Sequence, residues 1–234
     1  MLTLTISPRN LLLTTSIVIS VMAATPIAAA DDAPAISFSA NATLVSDYRF
    51  RGISLSNKDF AIQGGFDISS DSGFYVGTWG SSIEQYEGSE LELDIYGGYA
   101  TSFAELDFDI GILAYTYPGS ADTTYWEAYS SVGGTTGKLA WTLGAAYAFD
   151  QDSIGGDDNI YLYVDLGAPI GESPFSIASH FAYEDGAFGD DKLDWSLGLS
   201  YDHENFSLGV AYVDTNIDST IRDAGIAVSL SSAF

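Results

Sequence analysis

From Ile36 the chain alternates apolar and polar positions. Ile36, Phe38, Ala40, Ala42, Leu44, Tyr48 and Phe50 interleave with Ser37, Ser39, Asn41, Thr43, Asp47, Arg49 and Arg51. A period of two sends successive side chains to opposite faces of a sheet, so this stretch predicts one long strand with an apolar and a polar face. The same period recurs over Phe60 to Ile68, Leu91 to Tyr99, Leu106 to Ile112, Leu139 to Phe149, Ile160 to Leu166 and Phe175 to Tyr183. It returns over Leu193 to Tyr201, Phe206 to Tyr212 and Ala224 to Phe234. Phe74 to Ile83 and Tyr125 to Val132 alternate less cleanly and are placed as strands by their spacing. The total is about twelve, an even number, as in single-chain bacterial barrels.

The connections fall into two kinds. Ser70 to Gly73, Ala100 to Ala104, Gly133 to Gly137 and Asp202 to Asn205 read as tight turns, rich in residues that favour turn conformations. Between them lie longer acidic loops: Gly52 to Asp59, Glu84 to Ser89, Pro118 to Thr123, Asp150 to Asn159, Glu184 to Asp191 and Asp214 to Ile221. Ala168 to Ser173 is intermediate. This alternation matches the short periplasmic turns and long outer loops of outer-membrane barrels. Aromatic residues gather near strand ends, among them Tyr48, Phe50, Tyr99, Phe103, Tyr115, Tyr117, Phe149, Tyr201 and Phe234, as interfacial girdles would. A soluble β-sandwich shares the alternation. Strands of about ten residues suit a bilayer better.

The first 30 residues differ from the rest. Arg9 precedes an apolar run from Leu11 to Ala24, and Ala28-Ala29-Ala30 ends the segment. These features predict a secretory signal peptide over 1–30, cleaved after Ala30, and a barrel over 31–234, with a retained anchor as the alternative. No later run approaches the roughly 18 to 20 apolar residues of a transmembrane helix, so a membrane crossing has to be made by strands.

Charge narrows the function. The chain has 7 Lys and Arg against 32 Asp and Glu, and removal of Arg9 leaves a net charge of −26. Nucleic acid is excluded as a partner, because phosphate binding needs clustered Lys and Arg. A hydrophobic content of 47% with 14% aromatics argues against disorder. The absence of cysteine excludes disulfides, thiolate metal sites and a lipidated cysteine, and fits a Gram-negative envelope. No cofactor is expected. The surroundings expected of such a barrel are outer-membrane lipid and lipopolysaccharide, with a homo-oligomer left open.

The segment Ser46-Asp-Tyr-Arg-Phe-Arg-Gly52 resembles the TorF-like porins, a proteobacterial outer-membrane family. The resemblance continues through Gln63-Gly-Gly65, Gly73-Phe-Tyr-Val-Gly-Thr-Trp-Gly80, Glu92-Leu-Asp-Ile-Tyr-Gly-Gly-Tyr99 and Ala114-Tyr-Thr-Tyr-Pro-Gly119. It covers the chain after residue 30 and is strongest from Ala40 to Gly119. Lys58-Asp-Phe-Ala61 lacks the proline that the family carries before Gln63, a departure that affects the loop alone. The family name implies a porin and brings no motif residue with an assigned transport role.

If the apolar set of each strand meets lipid, the opposite set meets the lumen. That set comprises Asp47, Arg49, Asp67, Glu92, Asp94, Asp107, Asp109, Glu127, Asp165, His180 and Asp194, with Gly98, Gly111, Gly144 and Gly198 between them. Pairing across Ala100 to Ala104 is expected to bring Asp94 near Asp109. Like charges facing each other on a sheet destabilise it. Arg49 is the in-strand candidate to offset the Glu92, Asp94, Asp107, Asp109 wall, with Arg51 at the loop edge. Rings of carboxylates select cations, so the expected function is passive diffusion of small hydrophilic solutes through a cation-preferring pore. The same charges could instead close into a salt-bridge network that plugs the barrel, giving a sealed receptor or anchor. The acidic loops could collect divalent cations, although their spacing fails the EF-hand pattern and solvated loops explain them better. A hydrolase needs a nucleophile and base within hydrogen-bond reach, and neither His180 nor His203 has a marked serine partner, so an enzyme is not expected.

Overall fold

The computed structural model describes residues 35–234, and the predicted signal peptide lies outside them. The elements are β1 (Ile36–Val45), β2 (Arg49–Phe50), β3 (Ile53–Ser54), β4 (Ala61–Ser70), β5 (Phe74–Tyr86), β6 (Ser89–Phe103) and β7 (Leu106–Thr116). They continue as β8 (Tyr125–Thr136), β9 (Leu139–Gln151), β10 (Asp157–Pro169), β11 (Phe175–Gly186), β12 (Gly189–His203), β13 (Phe206–Thr215) and β14 (Gly225–Ala233). Twelve of them form one closed antiparallel barrel in which β1 pairs with both β4 and β14. Closure satisfies every strand edge, which a sheet in lipid requires. The two less regular segments are indeed strands, β5 and β8. Phe38, Phe66, Ile110, Leu143, Phe181, Leu197, Val210 and Leu230 stand exposed on the outer face, as the alternation predicts for a transmembrane barrel.

The first strand is shorter than its pattern. Pairing with β14 ends where Ser46 takes up Val228 with both its backbone N–H and its hydroxyl. The chain then leaves the wall, and β2 and β3 form a separate hairpin. Several connections are also tighter than predicted. Glu87-Gly88 joins β5 to β6, Ala187-Phe188 joins β11 to β12, and a short 3-10 turn, Asp152–Ile154, lies between β9 and β10. Acidic residues assigned to loops, such as Glu84, Asp150 and Glu184, therefore lie on strands.

At the opposite end Ala104 and Glu105 alone connect β6 to β7, both with positive φ (52° and 67°), so the strands run on to Phe103 and Leu106. The register is consequently Gly98 opposite Gly111 and Ala100 opposite Asp109. Asp94 faces Tyr115 instead of Asp109.

On the lumen face, glycine and tyrosine pair across neighbouring strands. Gly77 lies opposite Tyr96, Gly98 opposite Tyr75, Gly111 opposite Tyr129 and Gly144 opposite Tyr163. Each ring folds flat over the glycine: a Cβ at Gly111 would come within 2.2 Å of the Tyr129 hydroxyl oxygen, and one at Gly144 within 2.1 Å of the Tyr163 ring. Aromatic cover of this kind restores packing that glycine lacks and fixes register.

The lumen has two halves. Toward the short turns, Ser37, Ser39, Asn41 and Thr43 of β1 and Gln63, Asp67 and Ser69 of β4 are half-buried, facing an open vestibule. Toward the longer loops, Ala61, Ser81, Glu92, Glu127, Asn159, Glu184 and Lys192 are buried. Gly144→Val should dislodge Tyr163 and lower folding stability by about 1 to 3 kcal/mol. Urea unfolding of the refolded barrel in lipid vesicles measures this, and an unchanged midpoint would show that the ring does not need the space.

Candidate functional site

What closes the buried half is the β2–β3 hairpin, folded inward. Phe50 pairs with Ile53 around Arg51-Gly52, whose φ values of 49° and 82° are both positive. This is a type I′ turn, the form that suits the twist of a two-residue hairpin. Gly52 is needed for a second reason, since a Cβ there would lie 2.9 Å from the Cβ of Asp194 on β12. An arginine at positive φ is uncommon and held by its surroundings.

The base of the hairpin is tied by short polar contacts. Ser54 donates to Asp47 at 2.6 Å, and Arg49 donates through Nε to the other Asp47 oxygen at 2.6 Å. Arg49 also reaches the carbonyls of Gly52 (3.2 Å) and Asp223 (2.9 Å). The backbone N–H of Tyr48 donates to Ser56 Oγ at 2.9 Å, and that of Ser54 donates to the Ile221 carbonyl at 2.8 Å.

The tip carries Arg51 across the lumen. Its Nη2 donates to both Glu127 oxygens on β8 (2.7 and 2.8 Å), and its Nη1 donates to Glu184 on β11 at 2.8 Å. The guanidinium lies 4.1 Å from the ring centre of Tyr161, a cation–π geometry. Burial alone would lower the Arg51 pKa, but Glu127 and Glu184 outweigh it and hold it well above the ordinary value. Lys192 donates to the Arg51 carbonyl at 2.8 Å and to Glu184.

Around this contact the network continues. Asn159 donates to Glu184 at 3.0 Å, and Tyr161 donates to Asp194 at 3.2 Å and shares a hydrogen bond with His180 Nε2 at 2.7 Å. His180 Nδ1 lies 2.6 Å from Asp165, its direct cross-strand partner. Glu92 accepts from Tyr48 (2.6 Å) and Tyr117 (3.0 Å). Among the described residues, seven buried carboxylates (Asp47, Glu92, Asp94, Glu127, Asp165, Glu184, Asp194) face three buried side chains of fixed positive charge (Arg49, Arg51, Lys192) and His180. The lumen is therefore acidic even with its plug in place.

The predicted site is partly rearranged. Glu92, Asp94, Glu127, Asp165 and His180 face the lumen and are buried, as expected. Asp67 and Asp109 face it lower down, capped by Tyr96 (2.5 Å) and Tyr75 (2.7 Å). Asp107 is exposed at the short-turn rim, where Ser102 donates to it at 2.5 Å, so it does not join a wall with Asp94. Arg49 is on the inserted β2 and not on a wall strand, and it bonds Asp47, because the chain has already left the wall; Arg51 is the arginine that crosses the lumen. Tyr48, Phe50 and Tyr115 turn into the lumen and do not belong to a girdle. Glu184 falls in the predicted acidic loop Glu184 to Asp191, and Lys192 falls between that loop and the strand predicted from Leu193, so neither is among the expected lumen residues. Their signal was the period of two continuing past outward Tyr183 and Leu193. Among the described residues, no three carboxylate or imidazole groups gather to hold a metal ion, in the acidic loops or elsewhere.

Over residues 28–232 the chain matches a family described as a bacterial protein of unknown function, Gcw_chp, and it belongs to that family. No curated protein matches it. Among solved structures it is similar to the KdgM porin, with a TM-score of 0.61 and 12% identity over 84% of this chain and 99% of that one. The same porin in complex with disordered oligogalacturonate matches with a TM-score of 0.59 and 11% identity, over 84% of this chain and 98% of that one. The NanC porin matches at 0.57 and 12%, over 85% and 99%. At these identities the likeness shows the fold, a porin-type barrel matched almost end to end. The family named is Gcw_chp, and the TorF-like resemblance is carried by the quoted segments alone.

Removing Arg51 would leave buried Glu127 with only the Tyr115 hydroxyl, while Glu184 keeps Lys192 and Asn159; breaking a buried pair typically costs about 3 to 5 kcal/mol. Because the chain has no cysteine, Ser54→Cys supplies a unique label on the hairpin. Arg51→Ala in that background should raise the rate of maleimide labelling by at least about ten-fold, since the hairpin can then swing into water. Equal rates would mean that Arg51 does not hold it.

Proposed function

We propose that this Gcw_chp family member is an outer-membrane channel for passive diffusion of small hydrophilic solutes. Its acidic lumen prefers cations, and the β2–β3 hairpin closes it in the conformation described. The observation that carries this reading is the excess of buried carboxylates around a hairpin whose tip is held to the far wall through Arg51, by its side chain and by the Lys192 bond to its carbonyl. Fixed negative charge in a narrow passage favours cations. An acidic oligosaccharide such as that bound by the KdgM porin would be repelled here, so the solutes we assign are neutral or positively charged.

Passage through the closed half requires the hairpin to leave the wall. The Ser46 to Gly52 segment that resembles the TorF-like porins contains the first strand and the turn of this hairpin. Outer-membrane lipid and lipopolysaccharide, with or without a second copy, would cover the apolar outer band. We propose no enzymatic role.

A second reading, a sealed receptor or anchor, draws support from the complete burial of the charges above the vestibule. Planar-bilayer recordings separate the two. The wild-type chain should open rarely, Arg51→Ala should raise open probability at least about ten-fold, and reversal potentials should show cation preference. Silence from both proteins at all voltages would establish the sealed barrel, and anion preference would reject the role given to the carboxylates.

A further inference from the structure

Asp94 is the one buried lumen carboxylate to which the protein offers no donor. The residue is 0% exposed, and neither of its carboxylate oxygens has a hydrogen-bond partner. Asp47, Glu92, Glu127, Asp165, Glu184 and Asp194 each have at least one oxygen bonded. Buried polar groups are normally paired, so an unpaired carboxyl points to a donor that the fold does not itself supply.

Its neighbours define the kind of cation. On the lumen face Asp94 lies directly between Trp79 of β5 and Tyr115 of β7. Trp79 in turn packs near Tyr48, with ring centres 5.5 Å apart. Glu92, two positions along the same face of β6, is already occupied by Tyr48 and Tyr117, and Glu127 by Arg51. Calcium takes six to eight oxygen ligands, more than this arrangement gathers. A single carboxylate with two free oxygens between aromatic side chains suits an ammonium group, which has three N–H donors and is attracted to ring faces.

The site is placed for entry from the vestibule. The same hydrogen-bonded row runs from Asn41 through Gly65 to Trp79 and Asp94, and Asn41, Gly65 and Trp79 are only half-buried. Beyond Asp94 the row becomes Tyr115 and Tyr125, both buried. Asp94 thus stands at the boundary between the open and closed halves.

We propose that Asp94, framed by Trp79 and Tyr115, binds the primary ammonium group of a small solute. As a stopping point for a permeating amine the site rests on the channel reading. As a binding site it stands without it.

The test uses the full chain refolded in detergent micelles and titrated with methylammonium chloride, against sodium chloride at matched ionic strength. Trp126, Trp141 and Trp195 occupy outward positions of β8, β9 and β12, so a change in tryptophan fluorescence reports Trp79. Methylammonium should give a saturable change. Asp94→Asn, with folding verified by heat-dependent migration on gels, should bind at least about ten-fold more weakly, as expected for loss of a charged hydrogen-bond partner. Asp109→Asn should bind like the wild type. If Asp94→Asn does not fold, Trp79→Leu followed by calorimetry serves in its place, with weaker binding expected from loss of the ring. No saturable response in the wild type, unchanged affinity in Asp94→Asn or Trp79→Leu, or an equal response to sodium would overturn the assignment. Amine binding without conductance would place the site in a sealed barrel, whereas conductance without amine binding would overturn this inference and leave the channel standing.

Discussion

The contact on which the closed lumen depends is the guanidinium of Arg51 between Glu127 and Glu184. A closed barrel confronts its inward carboxylates with a choice. They are hydrated by water that fills the lumen, or they are satisfied by donors the protein brings in. The hairpin brings Arg49 and Arg51, two of the three buried fixed cations. Withdrawing it would replace those donors with water around the same carboxylates. Because the desolvation of a buried ion pair offsets most of its Coulombic attraction, the two arrangements can differ by little free energy. The positive φ of Arg51 adds a small bias against the inserted form. On the proposed channel reading, a plug held in this way is closed without being permanent.

The wall is packed without help from the hairpin, and the glycine–tyrosine pairs explain how. Tyr75, Tyr96, Tyr129 and Tyr163 lie over glycines of the adjacent strand, so their packing is completed within the wall and does not call on the hairpin. Hydroxyl contacts such as Tyr75 to Tyr129 at 2.5 Å extend the wall across strands β5 and β8. Rings held flat also leave the vestibule open opposite the small side chains of β1 and β4.

Much of this was legible from the alternation alone: twelve strands, their facing, the acidic lumen and the inward position of Glu92, Asp94, Glu127, Asp165 and His180. The errors share one physical cause, which is that a period of two reports facing and says nothing about where a strand leaves its sheet. Tyr48 and Phe50 alternate with Asp47, Arg49 and Arg51 as well in an inserted hairpin as in a wall strand, because a hairpin also has two faces. The Ala104-Glu105 turn carries no glycine, so nothing in its composition marked it as two residues long, and the register across it came out wrong. Glu184 falls in a predicted loop for the opposite reason. An acidic run looks like a loop, yet Glu184 and Lys192 pair with each other across β11 and β12.

The choice of donor explains why the lumen stays acidic. Tyr48 and Tyr117 donate to Glu92, Tyr96 to Asp67, Tyr75 to Asp109, Tyr115 to Glu127 at 3.2 Å, and Tyr161 to Asp194. A phenol hydroxyl satisfies a carboxylate's lone pair but brings no positive charge, whereas Lys or Arg in its place would cancel the field. Tyrosine therefore lets carboxylates sit in a confined space while their negative potential persists. Arg51, Lys192 and His180 concentrate their neutralisation on the β8, β10, β11 and β12 side, which leaves the β6 wall to phenols. Asp94, on that wall, has neither phenol nor cation, and it stands where the unneutralised potential of Glu92 and its own charge coincide beside the open vestibule.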